Sequence, residues 1–188
     1  MSEKVIILSA PSGSGKTSIV KYLLQKIPDL SFSVSATSRT PRGKERDGID
    51  YFFISLEEFH RRIDNDEFLE YEEVYKGCYY GTLKAQVEEL LKSDRNVIFD
   101  VDVVGACNIK KYYGKQALSL FVQPPSIEEL RNRLISRDTD LPETIENRII
   151  KAEYELSFAD KADRIIINET LEVVQKETLQ LIKDFIKH

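Results

Sequence analysis

One stretch constrains this chain more than any other: residues 6–17, IILSAPSGSGKT, where an apolar run stops at a glycine-dotted loop and Lys-Thr opens a helical pattern. Gly13 and Gly15 lack Cβ atoms, so the backbone can curl and aim successive N–H groups at one point. The positive end of the following helix lies there too. Such a loop holds anionic oxygens. Lys16 adds a mobile positive charge able to reach β- and γ-phosphates, and the Thr17 hydroxyl is placed to ligate Mg²⁺. The expected ligand is a nucleoside triphosphate, held over Ala10, Pro11, Ser12, Gly13, Ser14, Gly15, Lys16, Thr17 and Ser18. The strict pattern G-x-x-x-x-G-K-[ST] is missed by one methyl group, because Ala10 takes its first glycine position. The competing reading is a Gly/Ser turn between strand and helix that binds nothing.

The rest of the chain has to supply a fold around that loop. Its 188 residues, 41% of them hydrophobic, suffice for one core and a single domain. A formal net charge of −5 argues against a surface built for nucleic acid or anionic membrane, so any phosphate binding must be local. No run is long enough to span a bilayer and the N-terminus does not read as a secretory signal, which points to a cytoplasmic enzyme. Cys78 and Cys107 are far apart and outside any CxxC spacing, so free thiols are expected rather than a disulfide or zinc site. His60 and His188 read as ordinary surface residues.

Short β-branched runs at residues 5–8, 97–101, 118–122 and 164–167 alternate with helical patterns, the βαβ signature of an α/β fold with a parallel sheet. After the phosphate loop, Val20, Leu23, Leu24 and Ile27 share one helical face and Pro28 stops the helix. Leu171, Val174, Leu181, Ile182 and Phe185 form a second stripe, read as a helix covering the sheet. Two segments interrupt the alternation: residues 33–82, rich in Arg, Tyr and acids, and residues 126–157, charged and helical in pattern. Both are expected to sit beyond the carboxyl ends of the strands, where insertions become substrate lids. The organisation is then a core of 1–32, 83–125 and 158–188, an insertion of 33–82 and a helical lid of 126–157.

Within the first insertion, Arg39 and Arg42 flank Thr-Pro, and Tyr51 closes Asp-Gly-Ile-Asp-Tyr. Guanidinium forks match phosphate bidentately and tyrosine hydroxyls add neutral donors, so a second anion fits here, although two arginines beside such a turn also suit a solvated loop. Asp100 and Asp102 follow an apolar run with one residue between them. On a strand both would point to one face, suited to a ligand or hydrated metal; the alternative for Asp102 is a helix cap. The arginines of the second segment, Arg131, Arg133, Arg137 and Arg148, either meet phosphates or pair with Glu128, Glu129 and Glu146 along the helix.

SAPSGSGKT, SFSVSATSRTPRGKERDGIDYFF, EFLEYEEVYKGCYYGT and FDVDVVGA, in this order and at these intervals, resemble guanylate kinase over nearly the whole chain. The resemblance implies a P-loop nucleoside monophosphate kinase of three layers, with a parallel core sheet, a GMP-binding insertion and a helical lid. It would transfer the γ-phosphate of ATP to GMP with Mg²⁺, its oligomeric state left open. It further implies that Arg39, Arg42, Tyr51 and Tyr80 hold the GMP phosphate and that Glu70, Ser35, Thr82 and Asp102 recognise guanine. Arg137 and Arg148 would close on the ATP phosphates with Arg133, Asn168 would lie near adenine, and Asp100 would serve the Mg²⁺ shell or the GMP phosphate. A carboxylate at position 70 suits guanine, whose N1–H and amine are adjacent donors that adenine lacks. Two positions depart from the family pattern: Val104 stands where glutamine is usual, and Asp138 where glycine usually follows the lid arginine. Rival readings are a kinase for another monophosphate and a guanylate-kinase-like binding module that makes no product.

Overall fold

The computed structural model describes residues 3–11, 13–136 and 142–187. Ser12 and Arg137, with the departure at Asp138, lie outside them. β1 (Val5–Ser9) is buried along its whole length, which a strand can be only if both faces are covered. It forms the middle of a five-stranded parallel sheet ordered β2 (Leu30–Phe32), β7 (Asn96–Asp100), β1, β8 (Ala117–Gln123) and β9 (Arg164–Ile167).

The alternation of side chains along β1 sorts the layers. Ile6 and Leu8 point to one face, against Ile19, Val20 and Leu23 of α1 (Lys16–Lys26) and Val174 and Ile182 of α7 (Leu171–Lys187). Val5 and Ile7 point to the other, against Val87 of α3 (Lys84–Lys92) and Ala106 and Ile109 of α4 (Val103–Tyr113). The result is a three-layer α/β sandwich. The stripe expected for the last helix is realised except at its start, where Leu171 is exposed; Thr178 takes a buried place and returns its hydroxyl to the Val174 carbonyl at 2.7 Å. The threonine fits an apolar face because that bond satisfies its donor.

Two further bodies rise from the carboxyl side of the sheet. The segment after β2 builds a second sheet, ordered β4 (Phe52–Phe53), β3 (Ala36–Thr37), β6 (Cys78–Leu83) and β5 (Phe68–Tyr75). β3 runs parallel to β4, antiparallel to β6, and β6 antiparallel to β5. α2 (Leu56–Asp64) packs Phe59 onto Phe68, the rings stacked 4.4 Å apart, above a small core of Ala36, Phe68 and Leu83. These strands escape a reading of the sequence because only the first two residues of β5 are buried; the remaining acids and aromatics show no apolar alternation. The other body is a helix pair, α5 (Ile127–Ser136) and α6 (Pro142–Leu156), closed by Leu130, Leu134, Ile145, Ile149 and Ala152.

The fold makes Leu23 a keystone of one face, fully buried between α1 and the sheet. Leu23→Ala is expected to cost about 2–5 kcal/mol, as cavity-forming core truncations do. Urea unfolding checks this: a midpoint unchanged from the parent would show that the α1 layer does not carry the sheet.

Candidate active site

β1 ends at Ser9, and the chain turns through Gly13 (φ 94°) and Gly15 (φ 88°), both in the left-handed region that side chains avoid. Gly15 is also the N-cap of α1. A Cβ at Gly15 would lie 2.7 Å from the Asn168 amide nitrogen, and one at Gly13 would lie 3.0 Å from Leu130, so both positions also lack room for a side chain. The loop encloses a cavity of about 400 Å³ lined by Ala10, Pro11, Gly13, Ser14, Gly15, Lys16, Thr17 and Ser18 from below and by Asp100, Asp102 and Glu155 from the side. Lys16 spans it. Its ammonium pairs with Asp100 at 2.6 Å and donates to the Val101 carbonyl at 2.9 Å, tying the loop to the end of β7.

Asp102 does not lie on the strand with Asp100. β7 stops at Asp100, and Asp102 is the N-cap of α4, accepting from the Gly105 N–H at 2.6 Å. The cap and the strand end nevertheless face one space: Asp100, Val101 and Asp102 also line a second cavity of about 160 Å³ with Ser35, Tyr51, Glu70, Glu72, Tyr80 and Gly81. The two cavities share that wall. Val104, the departure from the family pattern, is exposed on the first turn of α4.

Glu70 comes from β5 and is held by Thr82 of β6, whose hydroxyl donates to it at 2.6 Å. Burial pushes its carboxyl up to about 7, aided by the charge of Asp102 and opposed by the Thr82 bond. Gly105 lets α4 come close: a Cβ there would lie 3.0 Å from the Glu70 carboxylate and 3.2 Å from that of Asp102. Glu72, two residues along the same strand, also rises to about 7 through a hydrogen bond shared with Asp102 and through burial. Glu72 escaped the sequence reading; a period-two pattern starting from Glu70 would have found it once β5 was known to be a strand.

The remaining expected residues fall into two groups. The Arg39 side chain is nearly buried, donating from Nε to the Tyr80 hydroxyl at 2.8 Å, with the Tyr51 ring 4.9 Å from its guanidinium carbon. Arg42, by contrast, is exposed on the loop. At the other side, Asn168 is buried and donates to the Ser14 carbonyl at 2.7 Å, while its own carbonyl accepts from Arg133 at 2.9 Å. Those two residues line a third cavity of about 300 Å³ with Gly13, Gly15, Ser18 and Leu171. Arg133 also pairs with Glu129 at 2.8 Å along α5, the helix-face pair that the sequence left open, whereas Arg131 pairs with Glu146 across from α5 to α6. Arg148 sits half-buried on α6, and the α6 residue that lines the phosphate-loop cavity is Glu155, 5% exposed. No signal in the sequence set Glu155 apart from the other acids of that helix.

A parallel sheet with a glycine phosphate loop at its centre, and a second carboxylate-bearing cavity across a shared wall, defines the P-loop nucleoside monophosphate kinase class. The family model described as guanylate kinase matches residues 2–188. A Bacteroides fragilis protein described as guanylate kinase is 64% identical over 183 residues, covering 97% of this chain and 90% of that protein. A Porphyromonas gingivalis protein of the same description is 54% identical over 184 residues, covering 97% and 98%. The crystal structure of guanylate kinase from Anaplasma phagocytophilum superposes with a TM-score of 0.77 at 28% identity, covering 99% of this chain and 87% of that one. The chain belongs to the guanylate kinase family and is an enzyme.

Because Glu70 binds its proton more tightly in the folded chain than at its ordinary value of 4.5, it favours folding at low pH, and that contribution is lost as pH rises through about 7. Glu70→Gln should therefore melt roughly 2–4 °C above the parent at pH 8 for each kcal/mol relieved, without nucleotide, and show no such gain at pH 4.5. Calorimetry at both values checks this; a variant less stable than the parent at pH 8 contradicts it.

Proposed function

We propose that this chain transfers the γ-phosphate of ATP to GMP, with ATP over the phosphate loop and GMP in the cavity that holds Glu70. The shared wall of Asp100, Val101 and Asp102 carries the proposal, since it sets two subsites side by side with the acids between them. In this reading the loop N–H groups and Lys16 take the triphosphate, and Lys16 trades Asp100 for phosphate oxygens. Asn168 fixes the loop through Ser14 on the adenine side, and Arg133 joins the lid arginines toward the ATP phosphates. Arg39, Arg42, Tyr51 and Tyr80 hold the acceptor phosphate, while Glu70, Ser35, Thr82 and Asp102 read the base.

The Thr17 hydroxyl and the Asp100 carboxylate reach the same cavity, a hard oxygen pair that suits Mg²⁺, which keeps most of its waters and phosphate ligands. Among the described residues no group of three His, Cys, Asp or Glu could cage a metal, which fits an ion that arrives with the nucleotide. When bound, Mg²⁺ neutralises charge on the transferring phosphoryl group. The protein's share is positioning: the segment 33–82 brings the acceptor to the wall, and the helical segment 126–157 closes over the donor with Arg148 and Arg137, the latter outside the described residues. Closure excludes water, which would otherwise take the phosphoryl group.

Glu70 selects the acceptor by accepting N1–H and an amine proton together, and a wrong base leaves this carboxyl unpaired in a buried site. ADP release from ATP·Mg²⁺ tests the reading with GMP, dGMP, AMP, UMP and TMP offered separately. GMP should be the best acceptor, Lys16→Ala should lower turnover by about 10²–10³, and Glu70→Gln should cost GMP about 1–3 kcal/mol in kcat/KM without an equal loss for the other acceptors. Highest activity with AMP, or an equal loss for all acceptors, contradicts the assignment; no activity with any acceptor points to a binding module.

A further inference from the structure

The loop after β3 contains a carboxylate to which no role has been given. Glu45 faces Arg39 as a bidentate pair, Nη1 to Oε2 at 2.6 Å and Nη2 to Oε1 at 2.8 Å. The same Oε2 accepts the Arg42 backbone N–H at 2.8 Å, and the Glu45 N–H returns to the Arg42 carbonyl at 3.1 Å. One carboxylate thus binds both arginines of the acceptor-phosphate cluster, one through its side chain and one through its backbone.

Counting donors shows what this leaves. A guanidinium has five N–H groups. Those of Arg39 go to Tyr80 from Nε, to Glu45 and the Thr40 carbonyl from Nη1, and to Glu45 from Nη2, and Tyr51 shares a further side-chain hydrogen bond with the group, so its fork is engaged by protein groups. The group is also boxed by rings, 4.9 Å from Tyr51, 5.7 Å from Phe53 and 5.9 Å from Tyr80. Arg39 is therefore built into the wall, its orientation fixed by Glu45, and brings its charge to the acceptor phosphate from a set position. It also orients a neighbour: the Tyr80 oxygen accepts from Nε, so the Tyr80 hydrogen is left to donate, and Tyr80 lines the acceptor cavity. Arg42 is exposed and hydrogen-bonds Glu45 through its backbone, and among the described residues its fork makes no hydrogen bond that would keep it from an anion.

We infer that Glu45 is a positioning residue of the acceptor-phosphate subsite: it freezes Arg39 so that Tyr80 presents its hydroxyl, and it closes the turn that sets Arg42 against them. The inference rests on the reading of this cluster as the acceptor-phosphate subsite. Glu45 stays ionised throughout the assay range, its carboxyl held to about 2 chiefly by the Arg39 hydrogen bonds. Its effect is therefore one of geometry rather than of pH. The opposite possibility is a placeholder, in which the carboxylate occupies the fork that the phosphate needs and must leave; the bond to the Arg42 backbone argues against it, because departure would also open the turn.

The two differ in sign. In Glu45→Gln the amide nitrogen faces donors, the Arg39 fork is lost, and KM for GMP should rise at least about tenfold, the scale of one or two charge-assisted hydrogen bonds, with kcat and KM for ATP within about twofold. Guanosine, which lacks the phosphate, should inhibit competitively with unchanged affinity. Glu45→Asp, which keeps the charge on a shorter arm, should show the same GMP-only pattern at smaller size and serves if the glutamine variant does not fold. A KM for GMP that is unchanged or falls overturns the inference, and so does a parallel loss of GMP and guanosine, which marks a merely structural residue. Arg42→Ala separates the inference from the reading beneath it. If Arg42→Ala loses GMP and keeps guanosine while Glu45→Gln does neither, the inference fails alone. If neither variant distinguishes the two ligands, the acceptor-phosphate reading fails with it.

Discussion

The ammonium of Lys16 bridging the phosphate loop to the end of β7 is the contact around which this molecule is arranged. It exists because two glycines let the chain reverse at the end of β1, and because β1 and β7 are neighbours in a sheet where both point their carboxyl ends the same way. The positive charge therefore sits on the wall that the two cavities share. Any ligand that attracts Lys16 away from Asp100 releases a carboxylate into the same space, so filling the first cavity alters the electrostatics of the second. The coupling is local and needs no long pathway.

The second cavity is organised differently, by carboxyls whose proton affinity is raised, at Glu70 chiefly by burial and at Glu72 chiefly by the hydrogen bond with Asp102. Glu70 and Glu72 both rise to about 7, and each does so partly through Asp102, which caps α4. Three acids from β5 and the α4 cap therefore crowd one wall with few cations among them. Such a wall is poor at holding anions and good at holding neutral N–H donors, which is the demand a purine edge makes. The Arg39 guanidinium stands apart from it, against Tyr51 and Tyr80. The cavity is polarised end to end, and a ligand with a donor-rich base and an anionic tail can lie in it one way round.

Much of this was legible in the sequence, and the reasons differ by element. The central strands show because buried parallel strands are continuous apolar runs, and the phosphate loop shows because its geometry demands glycine at fixed places. The second sheet was opaque: its strands are short or exposed, and their faces are defined by pairing between β3 and β6, Ala36 with Gly81 and Thr37 with Tyr80, far apart in the chain. For Asp102 the sequence offered a strand position beside Asp100 or a helix cap; β7 ends at Asp100, and the cap is what the chain forms. Asn168 had been expected near adenine and Arg133 at the ATP phosphates; Asn168 bonds the loop backbone at Ser14, and Arg133 bonds the Asn168 backbone carbonyl and Glu129. Glu45 was invisible for a general reason. Its role lies in which donors it consumes, and donor accounting needs coordinates.

The central claim is that two nucleotides lie across one wall of acids, one gripped by its phosphates and the other read by its purine edge. A crystal structure with a bisubstrate analogue, adenosine and guanosine joined through their phosphates, tests it most directly. The account predicts guanine N1 and its amine within about 3 Å of the Glu70 carboxylate and the phosphate chain running past Lys16 into the loop. Guanine bound elsewhere, or the chain threaded with adenine against Glu70, would contradict it.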